Sequence, residues 1–110
     1  MNITYKILNG FILASTIAWA GLPGRPARSS YIGKKWVAFE LNNGPSHKWE
    51  KLPDGGSIQY WRSDIAGCCV GRYDGGQGNR CEIVVRLDKE KRIRQINIIE
   101  DGMACGYALR

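Results

Sequence analysis

CEIVVRLDKEKRIRQINI, residues 81–98, decides the fold. Cys81, Ile83, Val85 and Leu87 recur at every second position, while Glu82, Arg86 and Asp88 occupy or flank the opposite face. A period of two is that of a strand with one buried side. DKEK then supplies a turn, and RIRQINIIE reads as a returning strand with Ile96 and Ile98 as its core pair. Upstream, Pro53-Asp54-Gly55-Gly56 is turn chemistry, because Pro presets φ, Asp bonds the local backbone and Gly takes positive φ. Its flanks, HKWEKL and SIQYWRS, predict a second hairpin, with Trp49 and Leu52 on one arm and Ile58, Tyr60 and Trp61 on the other. The two hairpins predict one antiparallel sheet, joined by a long glycine-rich loop over residues 67–80.

Residues 32–45, IGKKWVAFELNNGP, carry two patterns at once. Val37, Phe39 and Leu41 alternate as in a strand, whereas Val37 and Leu41 are also spaced i, i+4 as on a helix. Asn42-Asn43-Gly44-Pro45 stops either element.

The beginning of the chain places the protein in the cell. Lys6, an uncharged and mostly apolar stretch over residues 7–17, and Ala18-Trp19-Ala20 have the layout of a secretory signal peptide cut after Ala20. The apolar run is too short and too diluted by Asn9, Gly10, Ser15 and Thr16 for a spanning helix, which takes about 20 apolar residues. No cysteine follows the cleavage region to take a lipid. The expected location is therefore periplasmic or secreted. Residues 21–31, rich in Gly, Pro, Arg and Ser, read as a flexible leader before a single domain over 32–110.

Export settles the chemistry of the four cysteines, since disulfides persist in oxidising compartments. Cys68, Cys69, Cys81 and Cys105 are expected to form two bridges. Adjacent Cys68 and Cys69 disfavour each other because the ring between neighbours is strained. Two connectivities follow: Cys68–Cys81 with Cys69–Cys105, or Cys68–Cys105 with Cys69–Cys81. Either ties down the base of the loop and pins the C-terminal tail to the sheet. No C-x-x-C pair exists, which argues against a zinc site or a thioredoxin-like redox centre.

The chain of 110 residues carries a formal charge of +6. Lys6 is the only charged side chain in residues 1–20, so the remaining 90 residues carry +5. Outside the cytoplasm such a surface attracts acidic protein patches and anionic membrane surfaces, and location argues against nucleic acid. The densest basic run, residues 89–94, contains Glu90 and reads as a solvated turn.

The order of these segments resembles the SmpA/OmlA family of small envelope proteins, the BamE-like proteins. Gly33, Val37, Leu41, Gly44 and Pro45 are similar to its first motif, with one extra residue between Leu41 and Gly44. Gly55, Gly56, Tyr60 and Trp61 resemble its glycine turn and aromatic pair, in changed order, and residues 83–98 resemble its strand–turn–strand. The resemblance spans about residues 32–100. It implies an α+β fold like that of β-lactamase-inhibitor proteins: a short N-terminal helical segment packed on a three- to four-stranded antiparallel sheet, here with two disulfides. It also implies a role as an accessory factor of an envelope assembly or secretion machine. Family members are commonly lipoproteins, and four cysteines are not part of the family pattern, so the chain departs from it in both respects.

Nothing in the sequence demands catalysis, a cofactor or a metal. His47, the only histidine, lies in a loop beside Ser46, without the third orienting group of a nucleophilic site. Asp54, Asp64, Asp74, Asp88 and Asp101 each sit at glycines, turns or strand ends. GRYDGGQGN, residues 71–79, lacks the Gly-Lys-Ser/Thr ending of a phosphate loop. Arg72, Tyr73 and Asp74 of that loop, with Trp61, are the expected partner contacts, Arg and Tyr being types enriched at binding hot spots. Trp36, Trp49, Trp61 and Tyr60 read first as core, and two of them left exposed would mark a partner surface. The expected function is non-catalytic binding of a protein partner in the cell envelope. The competing expectation is a secreted enzyme inhibitor that acts through the 71–80 loop.

Overall fold

The computed structural model describes residues 21–67 and 79–110. It is an α+β fold built on a five-stranded, wholly antiparallel sheet. The elements run β1 (Arg25–Pro26), α1 (Trp36–Asn43), β2 (Lys48–Lys51), β3 (Ser57–Arg62), α2 (Ser63–Ala66), β4 (Cys81–Leu87), β5 (Ile93–Asp101) and α3 (Ala104–Ala108). The order across the sheet is β1-β5-β4-β3-β2.

Both expected hairpins are present. Asp54 Oδ1 accepts the Gly56 backbone N–H at 2.9 Å and closes the β2–β3 turn. Asp88 does the same for β4–β5. The core lies on one face of the sheet, where Trp61, Ile83, Val85, Leu87, Ile93, Ile96 and Ile98 meet Trp36, Phe39 and the α3 side chains. Ile93 and Ile96 are three residues apart, so a regular strand would put them on opposite faces. A register shift between Arg86 and Leu87 resolves this: Leu87 pairs with Ile93 and Arg86 with Gln95, leaving Arg94 as the extra residue. Arg94 turns outward and its Nε donates to Asp88 Oδ2 at 2.7 Å.

The leader contributes an edge strand, which corrects the expected strand count to five. Arg25 and Pro26 pair with Ile98 and Asn97, and Asn97 Nδ2 reaches the Pro23 carbonyl at 3.1 Å. Pro26 is tolerated because β1 is an edge strand. Gly24 has φ 84°, and a Cβ there would lie 2.3 Å from the Ile98 carbonyl oxygen. Only glycine brings the leader this close. Leu22 then packs over Leu52, Ile58 and Val84, a small second cluster on the opposite face of the sheet.

Residues 36–43 are helical, so the strand reading of Val37, Phe39 and Leu41 fails. The buried face is also not the Val37/Leu41 pair. Trp36, Phe39 and Asn43 are buried, and Trp36 stacks on Phe39 while Phe39 meets Trp61 edge-on. The helix's two aromatics outcompete its two aliphatics for the core because each buries more apolar area.

One disulfide joins Cys81 to Cys105. Neither expected connectivity contains this pair, so both are overturned. Cys81 opens β4 and Cys105 lies in α3, which the Ala104 N–H to Asn79 C=O bond also brings against the strand. The pairing does pin the C-terminal tail to the sheet. Cys68 and Cys69 lie outside the described residues.

Candidate functional site

α1 packs over the middle of the core face and leaves the β2–β3 end of that face uncovered. A cleft of about 780 Å³ lies there. Its floor is the row formed by Trp49, Gln59 and Ser57, and its wall is Trp36, Val37 and Glu40 of α1. Gln59 is held by polar neighbours: Ser46 Oγ donates to its Oε1 at 2.6 Å, and its Nε2 donates to Ser57 Oγ at 3.0 Å. The floor is thus preorganised with its amide already satisfied.

Two large apolar side chains face this cleft and are not covered. Trp49 is 60 % exposed and Val37 56 %. Leu41, one helical turn beyond Val37, is 81 % exposed. Trp49 sits on the core face because it pairs with Gln59, but α1 does not extend over β2. The rim is basic. Lys35, Lys51 and the turn residues Lys89 and Lys91 come from three separate places in the sequence, against Glu40 and Asp88.

Asp88 belongs to the frame of the cleft. Its Oδ1 accepts the backbone N–H groups of Glu90 and Arg92, both at 2.9 Å. The Arg92 amide chiefly, then the Arg94 guanidinium on Oδ2, holds the carboxyl below its ordinary value of 3.8. Arg62 does the same for Asp64. A carboxylate with a depressed folded-state pKa stabilises the fold fully above its unfolded pKa and loses that contribution as pH falls through the folded value. Stability measured by urea unfolding is therefore expected to decline as pH is lowered below about 4. An Asp88→Ala protein should show a shallower decline; an unchanged slope would mean the turn does not depend on this charge.

The structure places the sequence-predicted residues as follows. Trp61 is not a partner contact: it is completely buried, and its Nε1 donates to the Asn43 carbonyl at 3.3 Å. Arg72, Tyr73 and Asp74 fall outside the described residues, as does Ala20. His47 is exposed, and its backbone N–H bonds the Tyr60 carbonyl at 2.9 Å. Asp54, Asp64, Asp88 and Asp101 serve turns and ion pairs, Asp101 with Arg25 and Asp64 with Arg62 and Arg80. Among the described residues no group of three His, Cys, Asp or Glu side chains is placed to hold a metal.

The cleft itself was not visible in the sequence, because its lysines converge only through the fold. The one local sign was Trp49 in KWEK, an aromatic set among charges on a short strand. No protein-family model, no curated protein and no solved structure matches the chain.

Proposed function

We propose that this protein is an exported, non-catalytic binding module that holds a protein partner in the cleft between α1 and β2. The observation that carries the reading is the exposure of Trp49 and Val37 on facing sides of a lysine-rimmed cleft. Exposed apolar side chains that line one cleft can anchor a partner, and tryptophan is prominent among hot spots. The Cys81–Cys105 bridge supports export, because cytosolic thiols are kept reduced. The similarity to SmpA/OmlA proteins points to an envelope assembly or secretion machine as the partner.

The test is a tagged pull-down from gently solubilised envelopes under non-reducing conditions, with Trp49→Ala and Val37→Asp proteins in parallel. A membrane assembly recovered with the unsubstituted protein, and reduced about tenfold or more with either variant, is the expected result. Equal recovery with the variants contradicts the cleft as the contact. Recovery of one soluble enzyme would replace the accessory role by inhibition.

A further inference from the structure

We infer that the partner enters as an extended acidic segment that pairs along the outer edge of β2 as a sixth strand, with an apolar side chain seated between Trp49 and Val37. The inference rests on the protein-binding reading above and specifies the chemistry of the partner.

The geometry of β2 carries it. In an antiparallel ladder, residues alternate between those whose backbone groups face the partner strand and those whose groups face away. The Leu52 N–H bonds the Gly56 carbonyl at 2.9 Å. Two residues back along the same register, Glu50 opposite Ile58 therefore also faces β3. The backbone N–H and C=O of Trp49 and Lys51 then face outward. Among the described residues no strand pairs with that side of β2.

The far edge of the sheet is treated differently. Ala27 N–H bonds the Ile96 carbonyl, Gly33 N–H bonds the Ile93 carbonyl, and Ile93 N–H bonds the Lys34 carbonyl. The chain before α1 therefore covers β5 over most of its length and leaves β2 as the edge at which the sheet can grow. Edge strands are templates for addition, and β-strand addition is a common mode of peptide recognition.

Side chains make the addition selective. Trp49 and Lys51, whose backbones face outward, also project onto the cleft side of the sheet, beside Gln59 and Ser57. A strand paired there places alternate side chains into the cleft next to Trp49. On that side the charged rim is Lys35, Lys51, Lys89 and Lys91 against Glu40, with Asp88 answered by Arg94. On the opposite side Glu50 already accepts the Tyr60 hydroxyl at 3.1 Å, and the Lys48 ammonium lies 4.8 Å from the Tyr60 ring centroid. The surplus of positive charge is thus on the cleft side, where it favours Asp or Glu in the incoming strand. A second copy of this chain would instead bring a second lysine rim against the first. Four strand residues span roughly 13 Å, so a contact of four to five partner residues suffices.

The experiment uses the exported, folded protein as the target for a phage-displayed library of random dodecapeptides, with the Trp49→Ala protein as counter-target. Enriched sequences are synthesised plain and with alternate amides N-methylated in each of the two registers. The expected peptides are acidic. They lose about tenfold or more in affinity when one register is methylated and little when the other is, since only one register donates to β2. They also slow hydrogen exchange at the Trp49 and Lys51 amides. Enriched peptides that are basic, that tolerate methylation in both registers, or that are helical and perturb Val37 and Leu41 alone overturn strand addition and leave the protein-binding reading standing. Absence of enrichment over the Trp49→Ala counter-target overturns both. A dimer in sedimentation that Trp49→Ala dissociates would make a second copy the occupant and overturn the acidic partner.

Discussion

A protein carrying Cys81→Ala and Cys105→Ala is expected to unfold with about 3.5 kcal/mol less free energy than its parent, on the chain-entropy model of a loop closed over a sequence separation of 24. For a domain of this size, with a total of order 5–15 kcal/mol, that loss moves the urea midpoint far down. The bridge matters here because of where it acts. α3 has five residues and could not persist alone. Its hold on the sheet consists of the disulfide, the burial of Ala104, Ala108 and Leu109, and backbone bonds around Gly102. Removing the covalent tie frees the tail in the unfolded chain and lets α3 open locally in the folded one. Reduction of the parent should reproduce the effect. If neither reduction nor the double substitution changes the midpoint, Cys81 and Cys105 are not bonded in solution. The connectivity has its own check. Tryptic cleavage without reductant should release residues 81–86 linked to residues 95–110. A link from either segment to one containing Cys68 and Cys69 would restore the connectivities that the structure overturns.

The second large effect separates two tryptophans. Trp61→Ala is expected to cost about 3–5 kcal/mol, the range for deleting a fully buried large aromatic. Trp61 is completely buried, meets Phe39 edge-on at 5.2 Å and donates to the Asn43 carbonyl. Truncation removes the centre of the α1–sheet contact and leaves that carbonyl without its donor. Trp49→Ala should instead change stability by no more than about 0.5 kcal/mol, as for other exposed positions. Its effect belongs to binding. Equal losses at the two positions would mean that Trp49 is covered in solution, which is incompatible with an open cleft.

These two residues also show what could be read from the sequence. Alternation in residues 81–87 and the Pro53–Gly56 turn were sufficient for the two hairpins, since both signals are local. The sequence did not distinguish Trp61 from Trp49, because each stands in a strand of β-favouring and charged residues. Burial was decided by α1, which covers one and stops short of the other. The returning strand was legible as a strand, but its bulge at Arg94 was not: the need to bring Ile93 and Ile96 to one face arises only against Leu87 and Val85. Val84 escaped the alternation because Leu22 and Leu52 bury the opposite face locally. The pairing of Cys81 with Cys105 depends on the meeting of β4 and α3, and the expectation of two bridges with none between adjacent Cys68 and Cys69 had excluded it. The lysine rim was not legible because Lys35, Lys51 and the turn carrying Lys89 and Lys91 meet only across the folded cleft.

The central claim is that the partner is held at the α1–β2 cleft. Its most direct test is site-specific photo-crosslinking in intact cells, with a photoreactive amino acid at position 49 in one strain and at position 99 in another. Ile99 is exposed too, but on β5, three strands away from β2. The account predicts a discrete adduct from position 49, suppressed by the selected acidic peptide, and none of that mass from position 99. The same adduct from position 99, or none from position 49, would contradict it.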